Sequence, residues 1–253
     1  MKYDFITDWI KDYAIEHNIK SLVVGVSGGI DSAVTSTLAA RTGLPTYCIL
    51  LPIIQHKSHT QRGEDHIKWL KKEYPNVIRL KFDLTNTYHT FADLVNPYVN
   101  SLSLANTRAR LRMTTLYQIA SMQNGIVVGT GNKVEDFGVG FYTKYGDGGV
   151  DISPIADLFK SEVYDAGKEL GVIESIMKAA PTDGLWGDDR TDEDQIGATY
   201  DELEWAMKYK DENFDNLSVR QLEVLEIFRK LNNNNKHKMV PIPVCENKFN
   251  INN

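Results

Sequence analysis

The chain has 253 residues, of which 42% are hydrophobic and 25% charged, and its formal net charge is -6 at pH 7. This size and composition suit one α/β domain with or without a helical extension, and the acidic balance is not typical of a protein with a broad nucleic-acid-binding surface. The two cysteines, Cys48 and Cys245, form no CxxC pair, which excludes a disulfide scaffold and a thiolate zinc site.

Hydrophobic periodicity predicts strands and helices that alternate along the first half of the chain. Apolar residues recur at helical spacing from Ile6 to Tyr13, which indicates an amphipathic helix at the start. Buried strands are predicted at 22–26, 46–51, 77–82 and 126–128, with helices at 31–40, 60–73 and across 85–123. This alternation predicts an α/β fold with an open, doubly wound parallel sheet and helices on both faces.

The second half of the chain is predicted to consist of loops and helices. A long loop with several glycines is predicted over 129–154, and a helix over 160–170 precedes a second, polar loop. Helices near 192–208 and 218–231 predict a helical C-terminal extension, followed by a tail that includes a short asparagine run, 232–235. The sequence shows no apolar signal core and no apolar run near the ~20 residues of a membrane span, so we expect a soluble cytoplasmic protein without a membrane partner.

A glycine-rich turn joins the strand at 22–26 to the next predicted helix. In an open parallel sheet, ligands bind at the carboxyl ends of the strands, and two glycines let backbone N–H groups approach an anion beside the helix N-terminus. Ser-Gly-Gly also occurs as an ordinary turn, and its spacing here fits neither GxxxxGK[ST] nor GxGxxG. The sequence predicts a phosphate-binding turn of another kind, formed by Gly25, Val26, Ser27, Gly28, Gly29, Ile30, Asp31 and Ser32.

Asp31, in the first turn of the predicted helix, adds a carboxylate to this site. In the simplest interpretation it complements the helix dipole, but beside a phosphate it can also hold Mg²⁺. Ser-Gly-Gly-Ile-Asp-Ser after a hydrophobic strand resembles the pyrophosphate-binding loop of the ATP pyrophosphatases, which form AMP and pyrophosphate. That superfamily includes NAD synthetases, GMP synthetases and asparagine synthetases, so the turn indicates the superfamily and not the member.

Longer motifs downstream distinguish among these members. The chain closely resembles the ammonia-dependent NAD synthetase family at residues 127–135 and 140–154, in Leu-Phe-Lys at 158–160, in Ala-Pro-Thr-Asp at 180–183 and in His-Lys at 237–238. The resemblance covers nearly the whole chain. It implies one NAD synthetase domain over 1–253 with the adenine nucleotide alpha hydrolase-like fold, no glutaminase domain, and a homodimer.

By this resemblance the protein amidates deamido-NAD with ammonia, using ATP and Mg²⁺, and releases NAD, AMP and pyrophosphate by way of an acyl adenylate. The residues implied to bind ATP are those of the turn at 25–32 together with Thr130, Lys160 and Thr182. Those implied to bind Mg²⁺ are Asp31 and Glu135, and those implied to contact deamido-NAD are Arg110, Lys144, Asp151, His237 and Lys238. Catalytic roles are assigned to Asp31, Lys160 and Asp151.

The chemistry of three of these residues supports the assignments independently. Asp31 and Glu135 each follow a predicted strand, so both can reach the same edge of the sheet, and Mg²⁺ prefers such carboxylate oxygens. Lys160 begins a predicted helix, where the dipole mildly disfavours a cation, and a lysine there can neutralise departing pyrophosphate. The alternatives are a solvated loop charge for Glu135 and a solvated lysine on a helix face for Lys160.

Neighbouring charged residues are given ordinary roles. Arg108 and Arg112 share a helix face that Arg110 does not, which favours a solvated or interface role for both and leaves a bidentate substrate contact to Arg110. His56, His59 and His66 lack the cysteine or suitably spaced carboxylate partners of a zinc site, so we expect solvated or substrate-loop histidines.

Two other functions use the same turn. One is another adenylating ATP pyrophosphatase, of the tRNA thiolase or GMP synthetase type, but a thiolase usually needs a reactive cysteine, and neither cysteine lies in such a context. The other is a non-catalytic ATP-binding sensor, against which the paired carboxylates and Lys160 argue. We expect free ammonia, and not glutamine, to be the nitrogen donor because a glutaminase needs an activated cysteine and a domain of its own.

Overall fold

The computed structural model describes residues 1–55, 57–179, 191–211 and 214–246. The strands in these residues are β1 (Ser21–Gly25), β2 (Thr46–Leu50), β3 (Val77–Lys81) and β4 (Gly125–Val127). The α-helices are α1 (Asp4–Glu16), α2 (Ile30–Arg41), α3 (Lys57–Glu73), α4 (Thr85–Val95), α5 (Ser101–Met122), α6 (Lys160–Glu169), α7 (Glu174–Met177), α8 (Asp192–Ile196), α9 (Tyr200–Lys208) and α10 (Val219–Met239). A π-helix covers Val134–Val139.

The four strands form one parallel sheet in the order β3-β2-β1-β4. Val23 of β1 lies opposite Tyr47 of β2 on one side and Val127 of β4 on the other. Because β1 is central and covered on both faces, its apolar run Leu-Val-Val is buried without alternation. The predicted open parallel sheet is confirmed.

Helices cover both faces of the sheet, as the alternating pattern predicted. On one face, α1, α2 and α6 pack against Leu22 and Val24 of β1, and α3 packs beside them over Cys48 of β2. On the other face, α5 packs against Val23 and Val127 through Met113, Leu116 and Ala120. The doubly wound architecture places the carboxyl ends of all four strands at one edge.

The helical extension has a core of its own. Leu203 of α9 and Val224 and Leu225 of α10 pack together with Val134 and Val139, the two ends of the π-helix. The extension therefore attaches to the body through the segment that follows β4. No helix in the described ranges combines the length and the apolar character needed to cross a membrane.

Three predictions in this half are wrong. The helix predicted near 192–208 is divided into α8 and α9, because α8 ends at its C-cap Gly197, which has a left-handed φ of +87°. The loop predicted over 129–154 contains the π-helix, and α10 continues through the asparagine run to Met239 instead of ending at residue 231. Apolar periodicity ends at Leu231, and asparagine is a weak helix former. The last turns are supported by tertiary hydrogen bonds from Asn232 and Asn235, which a pattern of apolar residues does not reveal.

Candidate active site

The turn between β1 and α2 is held together by its own serine hydroxyls. Ser27 Oγ accepts a hydrogen bond from the Gly29 N–H at 3.2 Å. Ser32 Oγ accepts one from the Ser27 N–H at 3.1 Å and donates to the Gly29 carbonyl at 3.0 Å. α2 then begins at Ile30 with no side chain capping it, so its first backbone N–H groups are available to an anion.

Glycine is required at position 28 for two reasons. Its φ of +88° lies in the left-handed region, and a Cβ there would lie 2.5 Å from the carbonyl oxygen of His59 in α3. The Arg62 Nε of α3 also donates to the Gly28 carbonyl at 3.3 Å. The start of α3 therefore packs closely against one side of the turn.

Two carboxylates converge on a buried lysine at the carboxyl edge of the sheet. Lys160, the first residue of α6, is 3% exposed, and its Nζ donates to Asp31 Oδ2 at 2.6 Å and to Glu135 Oε1 at 3.1 Å. Asp31 comes from the first turn of α2 and Glu135 from the π-helix. The fold thus brings together three residues that the sequence singled out at widely separated positions.

Neighbouring polar side chains orient the two acids. The fully buried Asn132 donates from Nδ2 to Asp31 Oδ1 at 3.0 Å, and its Oδ1 accepts from the backbone N–H groups of Val134 and Glu135, both at 3.1 Å. The Tyr200 hydroxyl of α9 donates to Glu135 Oε1 at 2.6 Å. Sequence reasoning assigned no role to Asn132 or Tyr200, because nothing local indicates that either side chain reaches an acid in another element.

Burial and charge act in opposite directions on this cluster. Burial favours the neutral form of Lys160, but the charges of Asp31 and Glu135 outweigh it and raise the pKa of Lys160. Burial likewise opposes ionisation of Glu135, yet the Lys160 charge and the Tyr200 hydrogen bond lower its pKa. For Asp31 burial outweighs the attraction of Lys160, and its pKa is raised. Lys160 therefore keeps its positive charge at neutral pH.

These groups line a cavity at the carboxyl ends of the strands. Leu51, Met113 and Leu116 contribute to an apolar wall on the side of α5. The predicted ATP- and Mg²⁺-binding residues that line the cavity are Gly25, Val26, Ser27, Gly29, Ile30, Asp31, Ser32, Thr130, Glu135 and Lys160. An apolar wall beside a helix N-terminus and a fixed cation suits a ligand with a flat base and a phosphate chain.

Asp31 and Glu135 offer hard carboxylate oxygens to a divalent cation. Their oxygens both contact the same ammonium group, so they lie close enough to share one cation. Two carboxylates completed by phosphate oxygens and water are an ordinary donor set for Mg²⁺. Within the described ranges, no group of three or more histidine, cysteine, aspartate or glutamate side chains is arranged to hold a metal ion. The pair therefore fits a cation that is also bound by a phosphorylated ligand.

Arg112 also lines this cavity, although the sequence favoured a solvated or interface role. Its side chain is half-buried, and its Nε donates to the Leu51 carbonyl, just beyond β2, at 3.0 Å. Arg112 follows the buried Ala109 by three residues and precedes the buried Leu116 by four, so it lies beside the stripe of α5 that packs on the sheet. That spacing is the signal that the comparison of the three arginines overlooked.

Three further carboxylates, those of Asp136, Asp147 and Asp192, line the cavity without having been predicted. Burial and the charges of Glu135 and Asp147 raise the pKa of Asp136 to about 8. Asp147 is exposed and accepts a hydrogen bond from the Thr143 N–H at 3.0 Å. Asp136 and Asp147 lie in the glycine-containing segment after β4, where sequence alone does not reveal which carboxylates face the cavity.

The residues predicted to contact a dinucleotide form a separate group beyond the π-helix. Arg110 Nη2 donates to the Lys144 carbonyl at 3.3 Å, and Lys144 Nζ donates to the His237 carbonyl at 3.1 Å. Lys238 Nζ donates to the Tyr142 carbonyl at 2.8 Å and to that of Gly140. The fold thus gathers these four basic residues from α5, the segment after the π-helix, and α10.

Asp151 lies next to β4, outside this basic group. Its Oδ2 accepts from the Val127 N–H at 2.7 Å, and its Oδ1 accepts from the Tyr117 hydroxyl at 3.1 Å. The unpredicted Asp147, and not Asp151, is among the residues that line the cavity. Thr182, predicted to bind ATP, lies outside the described residues.

Known proteins resemble this chain over nearly its full length. It matches the NAD synthase family model over residues 2–241. It is 38% identical over 254 residues to the NH(3)-dependent NAD(+) synthetase of Alkaliphilus oremlandii (strain OhILAs), with 95% of each chain covered. It superposes on the NMN synthetase from Francisella tularensis with a TM-score of 0.87 and 33% identity, covering 96% of this chain and 97% of that one. For the NH3-dependent NAD synthetase from Campylobacter jejuni subsp. jejuni NCTC 11168, the TM-score is 0.78 and the identity 25%, with 96% and 97% covered.

Proposed function

This chain belongs to the NAD synthase family, and we propose on that basis that it catalyses the ATP-dependent amidation of deamido-NAD with ammonia. The nicotinate carboxylate of deamido-NAD attacks the α-phosphorus of ATP, and the bond to pyrophosphate breaks to leave an acyl adenylate. Ammonia then attacks the acyl carbon, the nitrogen loses a proton, and the bond to AMP breaks. The products are NAD, AMP and pyrophosphate.

The observation that carries this proposal is the buried ammonium group of Lys160 beside the phosphate-binding turn. Lys160 lines one cavity together with Asp31 and the other residues of the turn at 25–32 except Gly28. A preorganised cation is most effective where negative charge accumulates in the transition state, and in adenylation that charge develops on the departing pyrophosphate. A site that only bound ATP would not need a buried ammonium group held by two partly buried acids.

The other residues of the cavity are proposed to bind phosphate, hold the metal ion and exclude water. The N–H groups at the start of α2 face the place where the phosphate chain would bind, and the hydroxyls of Ser27 and Ser32 fix the shape of the turn. Asp31 and Glu135 would hold Mg²⁺, which neutralises phosphate charge when it is bound. The apolar wall formed in part by Leu51 would exclude water from the acyl adenylate, which water would otherwise hydrolyse.

The basic group formed by Arg110, Lys144, His237 and Lys238 is the proposed binding surface for the dinucleotide. Deamido-NAD carries a diphosphate and a carboxylate, which suit guanidinium and ammonium donors. The residues Arg110 and His237 are exposed and Lys144 is half-buried, so a ligand can reach this group from solvent. Asp151 is proposed to complete this surface near β4.

A second substrate is favoured by one observation, the TM-score of 0.87 with the Francisella tularensis protein that is named NMN synthetase. Amidation of the corresponding mononucleotide uses the same nicotinate carboxylate and the same two steps. The choice between the two substrates therefore depends on contacts with the adenylyl half of deamido-NAD. We propose that the basic group that includes Arg110 and His237 favours the dinucleotide, because several basic side chains can contact its diphosphate.

The decisive experiment offers the purified protein ATP, Mg²⁺ and ammonium chloride with either deamido-NAD or nicotinic acid mononucleotide. We expect NAD, AMP and pyrophosphate in equal amounts, and a higher kcat/KM for the dinucleotide. Faster formation of NMN would transfer the assignment to the mononucleotide. Binding of ATP without AMP formation would support the non-catalytic sensor. NAD formation from glutamine at the rate measured with ammonia would contradict an ammonia-dependent enzyme.

The protein is further proposed to act as a homodimer through an exposed apolar face formed by the end of α4, the loop that follows it and the start of α5. Leu94, Tyr98 and Leu102 are 79%, 88% and 62% exposed and lie near one another in the chain, which is unusual for a surface that meets only water. A second copy would cover this face. Light scattering should give twice the chain mass, and Leu94→Asp should halve the measured mass. Val219→Asp, which changes an 85% exposed valine on α10, should leave the measured mass unchanged.

A further inference from the structure

The π-helix that carries Glu135 ends with carbonyl groups that its own backbone does not satisfy. The last carbonyls of any helix lack partners within it, and this helix is a single wide turn. The Glu135 carbonyl accepts from the N–H groups of Gly140 and Phe141, which closes the turn. The carbonyls of Gly138 and Val139 point toward α10.

Two asparagines of α10 donate to these carbonyls. Asn232 Nδ2 lies 2.7 Å from the Gly138 carbonyl oxygen, and Asn235 Nδ2 lies 2.8 Å from that of Val139. Because they are three residues apart, the two side chains lie on neighbouring turns of one helix side. The asparagine run, which had no role in the sequence analysis, thus contains a pair that meets consecutive carbonyls of the π-helix.

The backbone of the π-helix lies directly against α10. A Cβ on Gly140 would lie 2.4 Å from the Cβ of Asn235, and Gly140 has a left-handed φ of +64°. Such close contact leaves no space for the turn to shift toward α10. The hydrogen bonds of Asn232 and Asn235 prevent it from shifting away, so the position of the turn along α10 is set from both directions.

We propose that Asn232 and Asn235, the asparagine pair, are positioning residues that place the Glu135 carboxylate at the cavity by holding the π-helix through its carbonyl groups. The pair acts on the C-terminal end of the π-helix, while Asn132 orients its first N–H groups. The Glu135 carbonyl is bonded to the segment that the pair holds, so movement of that segment moves Glu135 relative to Lys160. This inference rests on the proposed function, in which Glu135 holds Mg²⁺.

The asparagine run supplies its own control. Asn233 and Asn234 are exposed, and the same double change to alanine can be made at either pair. Alanine is the better helix former, so neither change lowers the intrinsic helix propensity of α10. Asn232→Ala/Asn235→Ala removes the two donors, and Asn233→Ala/Asn234→Ala alters the same helix without touching the π-helix.

Hydrogen exchange and kinetics together test the proposal. In Asn232→Ala/Asn235→Ala, we expect faster exchange of the amides at 134–142 and a kcat for NAD formation lower by roughly 10- to 100-fold, because small displacements of catalytic groups have effects of this size. The KM for ATP should change less than about twofold, since the turn at 25–32 is not in contact with the pair. The control double variant should match the unaltered protein in all three measurements.

Several outcomes would overturn the proposal. One is amide exchange at 134–142 that is equal in the two double variants. The other is faster exchange in Asn232→Ala/Asn235→Ala with an unchanged kcat. If the first double variant does not fold, Asn235→Asp, which sets an acceptor against the Val139 carbonyl, is compared with Asn234→Asp on the exposed side, and equal exchange and kcat would again refute positioning. If the unaltered protein forms no amide product, the proposed function fails, whereas the exchange comparison still decides whether the pair holds the π-helix.

Discussion

Replacing Lys160 with methionine removes the cation on which Asp31 and Glu135 converge. The lysine side chain is 4% exposed and the two acids are 18% and 17% exposed, so solvent screens this cluster little. Loss of the ammonium relieves the burial of one charge but leaves two neighbouring carboxylates without a cation. Removing one partner of a buried ion pair lowers stability by about 3 to 5 kcal/mol, and we expect a value near the lower limit because the acids retain some contact with water.

The loss should depend on pH. In Lys160→Met, the two acids repel each other, so their pKa values in the folded protein are raised above those of the unfolded chain. Protonation then favours folding, and the stability deficit should shrink as pH falls from 8 toward 6. Turnover should fall by about 10²- to 10³-fold at any of these pH values, because a preorganised charge at the pyrophosphate is lost.

Urea denaturation at pH 8 and pH 6 measures the stability, and NAD formation from ammonium chloride measures the turnover. Lys168→Met is the matched control, since Lys168 is an exposed residue of the same helix. A deficit below about 1 kcal/mol is what an exposed ion pair would give. A deficit that small at both pH values, or more than half of the normal turnover in Lys160→Met, would refute the reasoning.

Three further predictions concern other groups. Asp31→Asn and Glu135→Gln should each raise the Mg²⁺ concentration needed for half-maximal NAD formation by at least about tenfold, because second-sphere and ligand losses at metal sites have effects of this order; an unchanged Mg²⁺ requirement would remove that residue from the metal site. His66, expected from the sequence to be a solvated or substrate-loop histidine, is instead fully buried in α3. Burial lowers its pKa to about 4 from 6.5, so the unfolded chain binds the extra proton, and the protein should lose about 2 kcal/mol between pH 7.5 and pH 5 through this residue. Urea denaturation should show a smaller loss in His66→Gln, and equal losses would disprove the assignment. Gly28→Ala should reduce NAD formation far more than Gly43→Ala, since both glycines have positive φ but only the Cβ at position 28 meets other backbone; similar activities would show that the turn tolerates a side chain.

Sequence patterns were sufficient for the elements that form the sheet. The run Leu-Val-Val before the glycine turn predicted a strand buried on both faces, and the structure confirms it as the central β1. The turn at 25–32 was recognisable because its glycines and serines act locally, through hydrogen bonds within eight residues. The family was also correct from the sequence, since its motifs are continuous stretches of chain.

Contacts between distant segments required the tertiary structure. Asp31, Glu135 and Lys160 were chosen singly, but only the fold shows that one ammonium group contacts both acids, because that contact joins residues 129 and 25 positions apart in the chain. Arg112 was given a surface role because periodicity describes which side of a helix a residue occupies and not what lies beside it. The functional roles of these residues stay predictions.

The π-helix and the asparagine pair show the limit most clearly. Residues 134–139 have no helical apolar pattern, and Asn232 and Asn235 have a low helix propensity. Each segment is stabilised by hydrogen bonds to the other, so neither is specified by its own sequence. Local propensity and periodicity therefore determined the sheet, local hydrogen bonds determined the turn, and the resemblance of continuous motifs indicated the family. Mutual hydrogen bonding in the folded chain decided where Glu135 lies relative to Lys160.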